Sequence, residues 1–198
     1  KGSLFLRKGL VTTQVALSFL LLFGAGLFVR SLQNLKTTDA GVAVDNLVSF
    51  QLAPALSGYD NERATLFYRN LRDRLRAVPG VQSAAVATVP ILAGDEWDSS
   101  MAVEGHQVKD GEDMQAFMNG VSPGYFQTMK TPFLEGRDFR DGDARELTGA
   151  GYAGVAIVNR RFAEHFFPGR SAVGKHIGFG NPRDAKLSIE IIGVVANA

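Results

Sequence analysis

The sequence contains no cysteine, and its first 36 residues contain no acidic side chain. The missing thiols exclude a disulfide framework, a thiolate metal site and a cysteine nucleophile. The same 36 residues carry five basic side chains, so the net charge of +1 sums a basic head and a body with 16 basic and 20 acidic residues. This balance excludes a strongly basic nucleic-acid-binding protein, and the near-average composition excludes wholesale disorder.

Charge and proline are both missing from residues 10–29, which read LVTTQVALSFLLLFGAGLFV. Twenty residues of α-helix are about 30 Å long, which is the thickness of the hydrocarbon core of a bilayer. We therefore predict a transmembrane helix over 10–29. The alternatives are a core helix of a soluble protein and a cleaved signal peptide, but the run is too long for a signal peptide and no small-residue cleavage motif follows it.

The polar side chains of this span lie in its first half. The hydroxyls of Thr12, Thr13 and Ser18 can bond back to carbonyls of their own helix, and the amide of Gln14 can meet a neighbouring helix. Small and polar residues let helices approach closely in a membrane. The candidate helix–helix contacts are Gln14, Ser18, Gly24 and Gly26.

Basic residues flank the span, and Arg7, Lys8 and Arg30 are the predicted membrane-flanking residues. Three basic side chains precede the span, two follow it, and Asp39 and Asp45 come soon after. The positive-inside tendency then places residues 1–8 in the cytoplasm and everything after about residue 31 on the far side.

Residues 37–198 predict an α+β domain, because short strand and helix patterns alternate along them. Val48, Phe50 and Leu52 alternate with polar residues, which is typical of a half-buried strand. Asp60 is the predicted N-cap of an amphipathic helix over 61–78. Its predicted buried stripe is Ala64, Phe67, Leu71, Leu75 and Val78, and its arginines, Arg63, Arg69, Arg72, Arg74 and Arg76, are interpreted as a solvated face rather than an anion site.

The rest of the body predicts further short elements of both kinds. The predicted strands cover 81–89, 100–103, 116–121, 155–158, 175–179 and 187–195, and the predicted short helices cover 125–129 and 160–167.

One stretch imitates a phosphate-binding loop. Residues 169–176 read GRSAVGKH, which satisfies G-x-x-x-x-G-K but lacks the final Ser or Thr that would hold magnesium. Such a loop needs a strand before it and a helix after it, whereas here a helix and Pro168 precede it and glycines and a proline follow. We therefore interpret Gly169 and Gly174 as turn residues and expect no ATP site on this chain.

The acidic clusters and histidines carry no ligand pattern. The sets Asp95, Glu96, Asp98 and Asp138, Asp141, Asp143 lack the spacing of a calcium loop, so loop, turn and cap roles are preferred. His106, His165 and His176 form no H-x-x-x-H pair. No nucleophile elbow is present. We expect no catalytic residue, no metal ligand and no cofactor on this chain.

Several phrases in order along the chain resemble the periplasmic core region of MacB/FtsX-type ABC transporter permeases. They are QVALSFLLLFGAGLFVRSL (14–32), GVAVDNLV (41–48), PGV (79–81), VSPGYFQTM (121–129), GRDF (136–139), VAIVN (155–159), FFPG with VGK (166–175) and IIGVV (191–195). The span looks most like that of the second half of a duplicated permease of this group.

The resemblance implies a bacterial inner-membrane permease subunit without catalysis of its own. Residues 1–36 would be a cytoplasmic flank and transmembrane helix, and 37–198 a periplasmic core domain of two small α+β lobes, truncated at its C-terminus. A separate cytoplasmic ATPase would bind the ATP, and its closure would move the first helix and the domain. Such coupling serves export, including efflux, or mechanotransmission. Further implied partners are a second permease or duplicated half, a periplasmic adaptor and membrane lipid, but no nucleic acid.

An alternative from another class is a single-span sensor with an extracytoplasmic ligand-binding domain. Such a protein would add one span and a cytoplasmic signalling module, whereas a permease would add three closely spaced spans.

Overall fold

The computed structural model describes residues 2–37, 46–90, 95–143 and 154–197, with the side chains of 7–34 in the first of these ranges. The chain divides into two units, Lys1–Ala40 and Gly41–Ala198. Each unit is described below by itself.

The first unit is one helix, α1 (Gly2–Thr37), of 36 residues. It runs unbroken because no proline interrupts the first 53 residues, and its length is about 54 Å at 1.5 Å per residue. Within the described residues, Arg7–Asn34 is the one segment long and apolar enough to cross a membrane. The predicted back-bonding is confirmed, since Ser18 Oγ donates to the carbonyl of Gln14 at 2.9 Å, and Thr12 and Thr13 make equivalent bonds.

The second unit opens with a helical pair. A short 3-10 helix (Pro54–Ser57) ends at Gly58, whose φ of 76° suits glycine, and α2 (Asn61–Arg76) follows. The predicted cap is confirmed, because the Asp60 carboxylate accepts a 2.8 Å bond from the backbone N–H of Arg63. The predicted stripe of α2 is only half-buried, and Val78 is exposed beyond the helix end.

A six-stranded sheet forms the centre of this unit. The strands are β1 (Asp98–Val103), β2 (Gln115–Phe117), β3 (Phe133–Gly136), β4 (Val155–Asn159), β5 (His176–Phe179) and β6 (Ile189–Val195). Two short helices accompany them, α3 (Tyr125–Thr128) and α4 (Arg160–Phe166). The strand order is β2-β1-β5-β6-β3, and β4 also pairs with β6. All pairs are antiparallel except β4 with β6.

The strand β6 organises the hydrophobic core. It pairs with β5 at its first residues, with β3 at its last, and with β4 along its length. All of its residues except Glu190 are buried, so apolar side chains on both faces of this strand are covered. Ile191 and Phe167 are the most completely buried large side chains of the described residues. The mixed sheet and helices confirm the α+β class.

Two strand predictions of the second unit are wrong, and a third, 116–121, holds only at its start, since β2 ends at Phe117. Residues 47–52 form no strand in the described structure, and Val48 (84% exposed), Phe50 and Leu52 all face outward. Of 81–89, only Ala87 bridges to Val121. Alternation alone does not make a strand, because a strand also needs a partner to accept its backbone hydrogen bonds.

Candidate functional site

The regular geometry of α1 shows which of the four candidate contact residues lie on the same side of the helix. A helix turns about 100° per residue, so Gln14 and Ser18 lie one turn apart on the same side. Gly24 and Gly26 are separated by about 200° and therefore face nearly opposite directions. The four residues cannot all contact a single neighbouring helix, and only Gln14 and Ser18 lie close together on one side. Their contacts with another helix stay a prediction.

Gln14 stands out among the polar groups of the span. Within the described residues its side chain makes no hydrogen bond, whereas the neighbouring hydroxyls are all satisfied by carbonyls of the same helix. Gln14 and Ser18 line a shallow groove along α1 with Val11, Val15, Phe19 and Leu22. The helix thus offers one apolar face with a single open carboxamide.

The flanking charges fit the thickness of a bilayer. Lys8 and Arg30 lie 22 residues apart on one helix, which separates them by about 33 Å along its axis. The hydrocarbon core of a bilayer measures about 30 Å. The spacing is therefore compatible with the membrane-flanking role of Arg7, Lys8 and Arg30, which stays a prediction.

In the second unit, a buried arginine attaches α2 to a distant loop. Arg72 is only 6% exposed and is the only buried residue of α2, all of which the structure describes. Its guanidinium lies 3.3 Å from Asp141 and 3.3 Å from Asp73. The prediction of a solvated face is therefore wrong for Arg72, although Arg63, Arg69, Arg74 and Arg76 are exposed. Sequence reasoning missed it because Asp141 lies 69 residues away.

The same junction continues through the N-terminal end of α3. Arg76 donates to the carbonyl of Pro123 at 3.3 Å, and the N–H of Gly124 donates to Asp138 at 3.0 Å. Asp143 accepts two bonds from Arg137, which lower the pKa of its carboxyl. The aspartates of the GRDFRDGD segment thus act as caps and ion-pair partners, in agreement with the preferred reading.

The stretch that imitates a phosphate loop has its lysine occupied. Lys175 Nζ lies 2.9 Å from Glu104, and the same carboxylate accepts the N–H of His176 and contacts its ring. These bonds, from Lys175 first and His176 second, lower the pKa of Glu104 from 4.5 to about 2. The helix α4 precedes the stretch and the strand β5 follows it. This is the reverse of the strand-loop-helix order that phosphate binding needs.

The glycines of that stretch take the predicted turn conformations, with φ of 71° at Gly169 and 81° at Gly174.

The histidines lie in different surroundings. His106 pairs with Glu112 at 2.9 Å and packs edge-on against Phe166, which also contacts His165. Among the described residues, no group of three or more His, Cys, Asp or Glu side chains is placed to hold a metal ion.

Comparison with known proteins identifies the family to which the chain belongs. The model of the MacB-like periplasmic core domain matches residues 10–198. The periplasmic region of MacB from Actinobacillus actinomycetemcomitans is 17% identical, with a TM-score of 0.45, 65% of this chain covered and 50% of that one. The extracellular domain of the noncanonic ABC-type transporter YknZ from Gram-positive bacteria is 26% identical, with a TM-score of 0.40 and coverages of 69% and 63%.

The chain spans about half the length of the first of these solved structures. Comparison with curated proteins gives no match. The family match extends over nearly the whole sequence, from the first residue of the predicted span onward, and confirms the resemblance drawn from the sequence phrases. The chain belongs to the family of MacB-like periplasmic core domains.

Proposed function

We propose that this chain is part of a permease subunit of an ABC transporter of the MacB/FtsX type. In this role it couples ATP hydrolysis on a separate cytoplasmic ATPase to movement outside the membrane, for export or mechanotransmission. The observation that carries the proposal is the family match over residues 10–198, which joins a helix able to cross a bilayer to the core domain in one chain.

The unbroken helix supports a mechanical role. A continuous α-helix of 36 residues without proline transmits displacement along its axis because each turn is braced by backbone hydrogen bonds. In this arrangement residues 1–8 lie in the cytoplasm, where the ATPase binds, and residues after about 31 lie in the periplasm of the bacterial inner membrane. No ATP site is expected on this chain, and among the described residues the amine of Lys175 is engaged by Glu104.

The further partners follow from the same role. The span contacts membrane lipid and other permease helices, through either a second permease or a duplicated half, and the periplasmic domain is the surface available to an adaptor.

Labelling of single cysteines tests the arrangement, and the chain suits it because it contains no cysteine. Ser3→Cys and Ser57→Cys place one thiol on each side of the span. With intact cells, a membrane-impermeant maleimide is expected to label Ser57→Cys and not Ser3→Cys, and permeabilisation is expected to expose both. Labelling of Ser3→Cys alone in intact cells would contradict the orientation.

Co-purification tests the partner. The full-length protein is expected to retain an ABC ATPase encoded beside it, and ATP is expected to change the protease sensitivity of the external domain only when that ATPase is present and active. A hydrolysis-deficient ATPase is the matched control. A full-length gene that encodes a kinase or methyl-accepting module in place of further spans would instead establish the single-span sensor.

A further inference from the structure

The three histidines of the chain, which are scattered along the sequence, meet around the loop that connects β1 to β2, residues 104–114. His106 lies in this loop, and its ring packs edge-on against the ring of Phe166 in α4, with 5.1 Å between the ring centres. His165 contacts the same phenylalanine ring, and the Nδ1 of His176 lies 3.0 Å from Glu104 at the start of the loop. The fold therefore gathers imidazoles, the side chains that ordinarily change charge near neutral pH, at one corner of the domain.

His106 closes the base of the loop through a carboxylate. Its Nε2 lies 2.9 Å from Oε1 of Glu112, and the other oxygen of that carboxylate accepts the backbone N–H of Lys109 at 2.8 Å. The two paired side chains are only 22% and 21% exposed. The backbone bond from Lys109 and, after it, the contact with His106 lower the pKa of Glu112, so this carboxylate is ionised throughout the neutral range.

The same loop covers part of the hydrophobic core. Val108 packs against the buried cluster that includes Met114 and Phe167, as does Phe166, on which the ring of His106 lies. Most of the other loop residues are exposed. A segment with so few buried side chains opens more easily than the strands beside it, so an ion pair at its base changes how often it opens.

We propose that His106 and Glu112 form a pH-sensitive ion pair, which holds the β1–β2 loop against the core more firmly when His106 is protonated. A neutral imidazole can still donate one N–H to the carboxylate, but a protonated imidazole adds the attraction of opposite charges. A free imidazole gains its proton at about pH 6.5. The added stability is therefore present in mild acid and is lost as the pH rises through neutrality.

His176 lies in a different charge environment. Its partner Glu104 also binds the amine of Lys175 at 2.9 Å, and Glu190 of β6 is its register partner across the sheet. The pKa of Glu104 is about 2, so this carboxylate keeps its charge in the neutral range. Because Lys175 already supplies a positive charge to Glu104, protonation of His176 adds less attraction there than protonation of His106 adds at Glu112.

The other charged groups of this corner do not change charge between about pH 5.5 and 8, except for His165. Asp110 of the loop pairs with Arg183, and the charge of Lys109 lies close enough to lower the pKa of Glu112. The charged and titratable residues of α4 are all exposed: Arg160, Arg161, Glu164 and His165. His165 makes no ion pair within the part of the chain that the structure describes.

Hydrogen exchange in the full-length protein tests the ion pair. Exchange of the backbone N–H groups of residues 104–114 is measured at about pH 5.5 and about pH 8, and is corrected for the intrinsic dependence of exchange on pH. The loop is expected to open more often at the higher pH, by up to about five-fold, which is the range of one partly exposed ion pair.

Three variants locate the proton. His106→Gln keeps an N–H donor but gains no proton, and Glu112→Gln keeps an acceptor oxygen without the charge, so each is expected to abolish the difference between the two pH values. His165→Gln is the matched control, because it removes a histidine that contacts the same ring of Phe166 without an ion pair. It is expected to keep the pH dependence of the wild type.

Equal opening of the wild-type loop at both pH values would overturn the proposal. A pH dependence that persists in His106→Gln or Glu112→Gln, or one that is lost in His165→Gln, would overturn it as well. The ion pair lies wholly within the second unit, so none of these results alters the proposed permease role, which the labelling of Ser3→Cys and Ser57→Cys tests separately.

Discussion

Arg72 of α2 places its guanidinium 3.3 Å from the carboxylate of Asp141, which comes 69 residues later in the chain. The arginine side chain is 7% exposed, whereas the aspartate side chain is 61% exposed. The two partners are therefore expected to contribute unequally to the stability of the domain. Loss of Arg72 would remove a packed side chain, but loss of Asp141 would leave Arg72 beside Asp73, its other partner at 3.3 Å.

Arg72→Ala is expected to lower the free energy of unfolding by about 1–3 kcal/mol, because both packing and a charge-assisted hydrogen bond are lost. Asp141→Asn is expected to cost about 1 kcal/mol or less, since an exposed carboxylate contributes little. Urea unfolding followed by the fluorescence of Trp97, the single tryptophan, measures both. Arg69→Ala, an exposed change on the same helix, is the control and is expected to stay within about 0.5 kcal/mol. Equal effects of Arg72→Ala and Arg69→Ala would refute the attachment role.

Gly136→Ala is expected to be strongly destabilising, by about 2–4 kcal/mol, because two separate penalties combine. Gly136 has a φ of 75°, and a Cβ there would overlap the backbone carbonyl oxygen of Ile192 in β6. Gly58 has nearly the same φ with open space around it, so Gly58→Ala isolates the conformational penalty of about 1 kcal/mol. Thermal unfolding of the three proteins should rank them as wild type, Gly58→Ala and Gly136→Ala in falling order. The reverse order of the variants would contradict the close contact with β6.

The domain is expected to lose stability in acid through Glu104. The pKa of this carboxyl is about 2 in the folded protein, below its ordinary value of 4.5. A lowered pKa in the folded state contributes stability at pH values above 4.5, and that contribution disappears as the pH falls from about 4.5 toward 2. Glu104→Gln should therefore flatten the dependence of unfolding free energy on pH in this window. Glu164→Gln, an exposed change on α4, should leave the slope unaltered, and a Glu104→Gln protein with the wild-type slope would rule out this source.

Lys175 is expected to stabilise the domain and not to bind nucleotide. Because its amine is paired with Glu104, Lys175→Ala should move the acid unfolding midpoint to higher pH. Calorimetric titration with MgATP should show no binding to the wild-type chain. If MgATP bound to the wild-type chain and this binding disappeared in Lys175→Ala, residues 169–176 would be a phosphate-binding loop after all.

The orientation of the span is expected to depend on Arg7 and Lys8. Replacement of both by alanine removes two of the three basic charges that precede the span, so the positive-inside bias is lost and a mixed orientation should result. The labelling of Ser57→Cys in intact cells should fall accordingly. Arg30→Ala strengthens the same bias and should leave labelling complete. Full labelling of the double variant would mean that other segments set the orientation.

Local patterns predicted much of the fold. The strands β4, β5 and β6 and the helix α4 lie within one or two residues of the predicted bounds, because each combines an apolar run with a clear turn or cap such as Asn159, whose side chain accepts the N–H of Phe162. The hydroxyl bonds of the membrane helix were equally predictable, since they need only residues four positions apart.

Long-range partners account for what the sequence could not show. The burial of Arg72 depends on Asp141, and the failure of 47–52 to form a strand depends on a missing neighbour in the described sheet. The strand β3 was missed because only four residues, FLEG, form it, and its pairing with β6 is irregular between Phe133 and Glu135.

The position of β6 sets the order in which the domain can assemble. β1 can pair with β2 and with β5 as soon as these have been synthesised, but both β3 and β4 have β6 as their pairing strand. The backbone groups of β3 and β4 therefore stay unpaired until residues 189–195 have been synthesised, about 50 residues after β3. Contacts over such separations form slowly and leave apolar strands exposed meanwhile. The nascent chain is therefore most exposed to aggregation and proteolysis just before β6 arrives, and variants of β6 should lower the yield of folded protein more than variants of equal size in β1.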